Sequence, residues 1–170
     1  MKHFSLKAIA LAAVLVTAAP AQAVTLNIDS GWDRFSFGSV GTFALKVWDF
    51  TLGSAARLSV TDGFFSGDQF DVELNGVSAG LTSAPVQGLT SLGQNYDAAY
   101  ADPNFSSRSF VLGPGAYTLR LLVAARSGTD TRLHLGAVRL DSSPIPVPAT
   151  GALLLSALGA AVWLRRRRTA

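Results

Sequence analysis

The sequence predicts an all-β domain, an antiparallel β-sandwich of jelly-roll type, set between an N-terminal secretory signal and one C-terminal transmembrane helix. Three observations carry this prediction. Apolar and polar residues alternate at the strand period through the body, glycine-rich turns separate the short runs, and alanine- and leucine-rich apolar stretches lie near the two termini. The expected division is a signal peptide over 1–23, a sandwich over 24–143 and a C-terminal segment over 144–170 made of a proline-rich motif, the transmembrane helix and an arginine cluster.

Within the body, "TFALKVWDFTL" reads as an early strand in which Trp48 and Phe50 alternate with polar neighbours. In "RLSVTDG", Leu58 and Val60 face inward before a turn at Asp62-Gly63, and Phe64-Phe65 are expected on that turn. "DQFDVELNG" puts Phe70, Val72 and Leu74 on one face and Asp71 and Glu73 on the other, and Asn75-Gly76 is a strong hairpin signal. "SFVLGPGAYTLRLLVAA" reads as a strand, a turn at Gly113-Pro114-Gly115, then a longer strand with Tyr117, Leu119, Leu121 and Val123 on one face. "TRLHLGAVRL" supplies the final strand. Five to eight strands are expected, and apolar residues do not recur convincingly at helical spacing.

The two ends carry delivery signals. Lys2 and Lys7 precede an apolar stretch from Ala8 to Ala19, and Ala21-Gln22-Ala23 places small residues at a cleavage point before Val24. That stretch is about 12 residues where a membrane span needs about 20, and Pro20 interrupts it, so cleavage is expected rather than anchoring. Near the other end, Ala149–Leu164 is uncharged and is about 24 Å long as a helix. The bilayer core is about 30 Å thick, and the stems of Arg165 and Arg166 extend the apolar length by snorkelling. Arg165, Arg166, Arg167 and Arg168 hold that end on the cytoplasmic side. Both ends therefore predict one topology, with the body exported and transiently anchored in the inner membrane. Pro144, Pro146 and Pro148 keep the chain extended just before the membrane, where a processing enzyme can grip it.

The order of proline motif, short apolar helix and arginine cluster resembles the C-terminal sorting signal of the PEP-CTERM class, and Ile145-Pro146-Val147-Pro148-Ala149 is similar to its VPLPA variant. The resemblance implies recognition by an exosortase, a membrane-embedded cysteine protease or transpeptidase of Gram-negative bacteria. It also implies a surface or extracellular destination and association with exopolysaccharide. The motif has no Pro-Glu-Pro, and Ile145 stands at its first position. Val147-Pro148-Ala149-Thr150-Gly151 is one residue from the LPxTG motif that sortases cleave in Gram-positive wall-anchored proteins. Val147 in place of leucine, the repeated proline pattern and the short signal peptide favour the exosortase type. The segments "LSVTDGFFSGDQFDVELNGVSAGLTSAP" and "ADPNFSSRSFVLGPGAYTLRLLV" also look like a β-sandwich module of secreted proteins that carry this class of tail, over most of Phe43 to Leu140.

Charge narrows the partners. Lys2, Lys7 and the four terminal arginines supply six of the 14 basic residues, leaving eight against 11 acidic ones in the body. A net negative domain argues against nucleic acid as a partner. With no cysteine there is neither disulfide nor thiol chemistry, so a core of about 120 residues must hold the fold by itself.

The body offers little catalytic material, and a non-enzymatic protein is expected, with no catalytic residue assigned. His134 is the one histidine after signal cleavage and reads as an outward-facing strand residue, which leaves a hydrolase triad without its base. Lys46, in an alternating strand, is a poor Schiff-base candidate. The competing enzyme reading is a glycan-acting hydrolase that draws a carboxylate pair from Asp62, Asp68, Asp71 and Glu73. No cofactor is expected other than calcium, for which Asp62 and Asp68 of "DGFFSGD" are the candidate ligands. Phe64 and Phe65 are the candidate ligand-binding aromatics, suited to stacking on a sugar of an extracellular polysaccharide.

Overall fold

The alternating segments form two sheets in the computed structural model, which describes residues 23–88, 90–128 and 134–143. One sheet has the order β1 (Ala23–Thr25), β3 (Val47–Leu52), β9 (Gly115–Ala125), β5 (Gln69–Leu74) and β6 (Val77–Leu81). The other has the order β2 (Asp33–Ser36), β10 (Leu135–Ser142), β4 (Ala56–Phe65) and β7 (Ser91–Gly93), with β8 (Ser107–Leu112) also on β4. The strand pairs are antiparallel except β1 with β3, which is parallel, a departure from the all-antiparallel expectation. The expected signal peptide, Ala21 included, lies outside the described residues except for Ala23, which begins β1. The expected C-terminal helix likewise lies outside them, and among the described residues no helix is long and apolar enough to cross a membrane.

Strand alternation turns one side of each sheet inward. Trp48, Phe70, Val72, Leu119 and Leu121 from one sheet meet Phe35, Leu58, Val60, Val138 and Leu140 from the other. Phe35 packs edge-on against Trp48 and Phe70 at ring centroid distances of 5.6 and 5.3 Å, the arrangement aromatic quadrupoles favour. Trp48 is fully buried, so its indole N–H needs a partner, and it donates to Asp33 at 2.7 Å.

A six-residue helix, α1 (Tyr96–Ala101), covers the outside of β4 and is the element alternation did not predict. Asn95 caps it by accepting the Ala98 N–H. A Cβ on Gly63 would stand 2.6 Å from the Tyr96 ring, so glycine is what lets the helix lie this close to the strand.

β10 gives the molecule its polarity. Leu135 stands opposite Ser36 on one side and Gly63 on the other, while Ser142 stands opposite Ala56 at the far end. At about 3.4 Å per residue the two ends lie about 24 Å apart. The Asn75-Gly76 hairpin and the Gly113–Pro114 crossing from β8 to β9 lie toward the Ser142 end, because Asn75 N–H bonds Thr118 and Gly115 pairs with Leu52. The β4–β5 connection and the start of β10 lie at the Leu135 end.

Candidate functional site

At the Leu135 end, an open cleft of about 520 Å³ crosses the face of the second sheet. β2 and the segment entering β3 supply Arg34, Ser36, Leu45 and Lys46, while the end of β4 and the turn after β7 supply Phe64 and Gln94. Leu135 lies between them, since it pairs with both neighbouring strands. Such a volume is in the range of small-molecule sites.

The chemistry of the cleft is unequal between its two cations. Lys46 Nζ is held by both oxygens of Asp33 at 2.6 and 2.7 Å, and Asp33 also takes the Trp48 indole N–H, so this charge is neutralised and fixed. Arg34 is exposed and donates to Gln94 Oε1 across the cleft at 3.3 Å, with no carboxylate partner among the described residues. Leu45 stands at the lip with 79% of its surface exposed.

Phe64 sits on the opposite wall, half-buried, with φ at 69°. For a bulky residue the left-handed region costs about 1–2 kcal/mol. The register of β4 against β7 shifts at Phe64/Phe65, so a bulge creates this conformation. Phe65 packs against Phe64 with centroids 5.6 Å apart. The turn expected at Asp62-Gly63 is absent, and the phenylalanines are strand residues: β10 supplies ladder partners to both Asp62 and Gly63, so pairing overrides local turn preference and carries β4 on to Phe65.

Beneath the bulge lies a buried polar cluster. Asp62 and Asp68 do come together, both essentially without solvent exposure. Asp62 Oδ1 accepts from Gly63 N–H at 2.7 Å, and its Oδ2 accepts from Gly67 and Asp68 N–H at 3.2 and 3.1 Å. Asp68 accepts the Ser127 N–H at 2.7 Å and faces His134 Nδ1 at 3.2 Å. His134 is therefore not the outward strand residue its pattern suggests; it precedes β10 and is buried against Asp68 and the Phe37 ring. Burial and the neighbouring Asp68 charge push Asp62 up to about 9, against the pull of the three N–H donors. The cluster ties the β4–β5 connection to β9 and β10. Gly67 makes this tie close enough, since its φ is 131° and a Cβ would stand 2.5 Å from Ser127.

These oxygens already face hydrogen-bond donors, so a calcium ion at Asp62 and Asp68 would have to displace them. Among the described residues no group of three or more metal-ligating side chains is gathered. Asp71 and Glu73 lie on the outward face of β5, engaged with Ser78 at 2.5 Å and Arg120 at 3.9 Å. The four carboxylates of the hydrolase reading are thus split between a buried cluster and an outer sheet face.

Next to the cleft, the outer face of the second sheet carries a second aromatic group. Trp32 packs against Tyr96 and Tyr100 at 6.3 and 5.6 Å, with the Arg139 guanidinium 4.4 Å over its ring. The Trp32 N–H, and then Arg139, hold the Asp97 carboxyl below the usual carboxylate range.

Sequence reasoning singled out Phe64 and Phe65 but missed Arg34, Gln94 and Leu135, which meet only through strand pairing across distant segments. The processing-motif residues Ile145 to Ala149 and the cluster Arg165 to Arg168 lie outside the described residues.

No protein-family model matches the chain. No curated protein matches it either. Among solved structures, the chain is similar to the pre-peptidase C-terminal domain of a collagenase from Bacillus anthracis, at 14% identity and a TM-score of 0.40, over 73% of this chain and 99% of that one.

Proposed function

We propose that this chain is an exported, non-enzymatic cell-surface or matrix protein whose β-sandwich is the delivered part and whose C-terminal segment is a sorting signal read by an exosortase-type enzyme. The observation that carries the reading is the order of Ile145-Pro146-Val147-Pro148-Ala149, an uncharged apolar run and Arg165 to Arg168. The three parts supply, in turn, an extended grip, a brief membrane stay and a stop on the cytoplasmic side. The exit of the chain from the domain supports it. β10 delivers Ser143 to the end where its N–H bonds Ala55, about 24 Å from the cleft, so a tethered or attached domain presents its cleft outward. The placement of the carboxylates supports the non-enzymatic part, since the buried pair and the pair on the outer face of β5 do not flank one opening.

The test is the intact mass of the protein recovered from membrane and extracellular fractions of its host, beside the variant Pro146→Ala/Pro148→Ala. The expected result is loss of everything after the proline motif in the parent and retention in the variant. A parent protein that keeps Arg165 to Arg168 in the membrane fraction overturns the sorting reading and leaves a permanently anchored domain.

A further inference from the structure

We propose that the cleft between Arg34 and Phe64 is a binding site for an acidic sugar residue, a uronate unit of an extracellular polysaccharide. The inference rests on the surface reading only for where such a ligand is met.

Four features of the cleft converge on this ligand. Of the two cations of the cleft, Arg34 is the one without a carboxylate partner among the described residues, and its hydrogen bond to the Gln94 amide oxygen is long and exposed. A guanidinium in that state exchanges a weak neutral acceptor for a bidentate, charge-assisted pair with a carboxylate. Across the opening, Phe64 offers an apolar ring against which the C–H face of a pyranose packs. Its backbone is kept at φ 69° by a bulge pinned from below through the Asp62–Asp68 cluster. A bulky side chain held in an unfavourable conformation by an over-determined surround is a recurring mark of binding sites. Gln94 and Ser36 provide polar groups for ring hydroxyls, and Lys46, whose N–H groups are taken by Asp33 and the Arg34 carbonyl, adds no second free charge. The site thus suits a ring that bears one negative charge.

An extended acidic peptide is the rival occupant, and the backbone argues against it. β2 is an edge strand, where a peptide would add by main-chain pairing. That edge is already engaged: Ser36 C=O accepts from Leu45 N–H at 3.2 Å and Arg34 C=O from Lys46 Nζ at 3.4 Å. Recognition in the cleft therefore falls to side chains, which favours a ligand dense in hydroxyls and poor in backbone donors.

The experiment measures binding of galacturonate oligosaccharides to the full chain in nonionic detergent, beside the same oligosaccharides reduced at the carboxyl and beside oligoglutamate. Saturable binding of the uronate form is expected, weakened about tenfold or more by carboxyl reduction or by Arg34→Ala. Arg34→Lys should recover part of the loss, which a purely structural role for Arg34 would not produce. Phe64→Gly should also lose binding while keeping a parent-like thermal transition, since glycine relieves the strained φ as the ring is removed. Equal binding of the charged and reduced sugars, no effect of Arg34→Ala, tighter binding of oligoglutamate, or no binding at all would each overturn the proposal. None of these outcomes touches the tail, whose processing is read separately by mass.

Discussion

The two ends of the sandwich are closed by different means. At the Ser142 end, short local turns close the fold: Asn75 and Gly76 adopt φ values of 53° and 78°, as a two-residue hairpin with matching twist requires. Asn75 further bonds the backbone of Ala116 and Thr118. At the Leu135 end, the chain is tied by the buried side chains of Asp62, Asp68 and His134 and by the backbone N–H of Ser127, under a bulged strand. The first end is stable by conformation and sits in water; the second depends on satisfied polar groups in a low-dielectric interior, where leaving one unpaired is expensive. The cleft occurs at the second end, where a rigid understructure holds a strained aromatic residue in place.

That contrast predicts unequal sensitivity. The largest effect is expected for Asp68→Ala, which removes the acceptor of the buried Ser127 N–H and the carboxylate that faces His134, and should lower stability by about 2–3 kcal/mol in denaturant titration. A loss under about 0.5 kcal/mol would show that the buried cluster does not hold its end of the fold. The matching change at the other end, Asn75→Ala, removes two exposed backbone bonds and forces alanine into the left-handed region. It should cost about 1–2 kcal/mol.

The buried end should carry a pH dependence of its own. Because the folded-state pKa of Asp62, about 9, lies above its unfolded value, the folded protein binds the extra proton between about pH 4 and 9. The stabilisation from this group is complete below the unfolded value and is lost as pH rises toward 9, with a slope of order 1 kcal/mol per pH unit. Asp62→Asn should flatten that slope when unfolding free energy is measured across the window. An unchanged slope would place the titration elsewhere. The smallest effect is expected for Phe64→Gly, where relief of backbone strain offsets lost burial and stability should stay within about 1 kcal/mol of the parent.

Much of the sandwich was legible because its signals are local. Phe70 and Val72, and Leu119, Leu121 and Val123, face the core as their alternation implies, and the Asn75-Gly76 turn falls where the dipeptide stands. Trp48 and Phe50 are core residues, as aromatic residues at strand period usually are. Helix α1 was missed because Tyr96–Ala101 is under two turns long, too short for a helical period to emerge, and its one cue was the capping Asn95. The Asp62-Gly63 turn was misread for the opposite reason: a strong local signal yielded to pairing on β10.

By itself, the sequence determined the strand faces, the hairpin, the net negative body and the ordered motif of its C-terminal segment, because each depends on residues adjacent along the chain. Only the tertiary structure decided that Arg34, Gln94, Leu135 and Phe64 share one cleft and that Asp62, Asp68 and His134 meet beneath it. Those residues come from strands whose neighbours are set by which apolar faces pack together, and side-chain period says which face a residue takes but not which distant strand lies beside it.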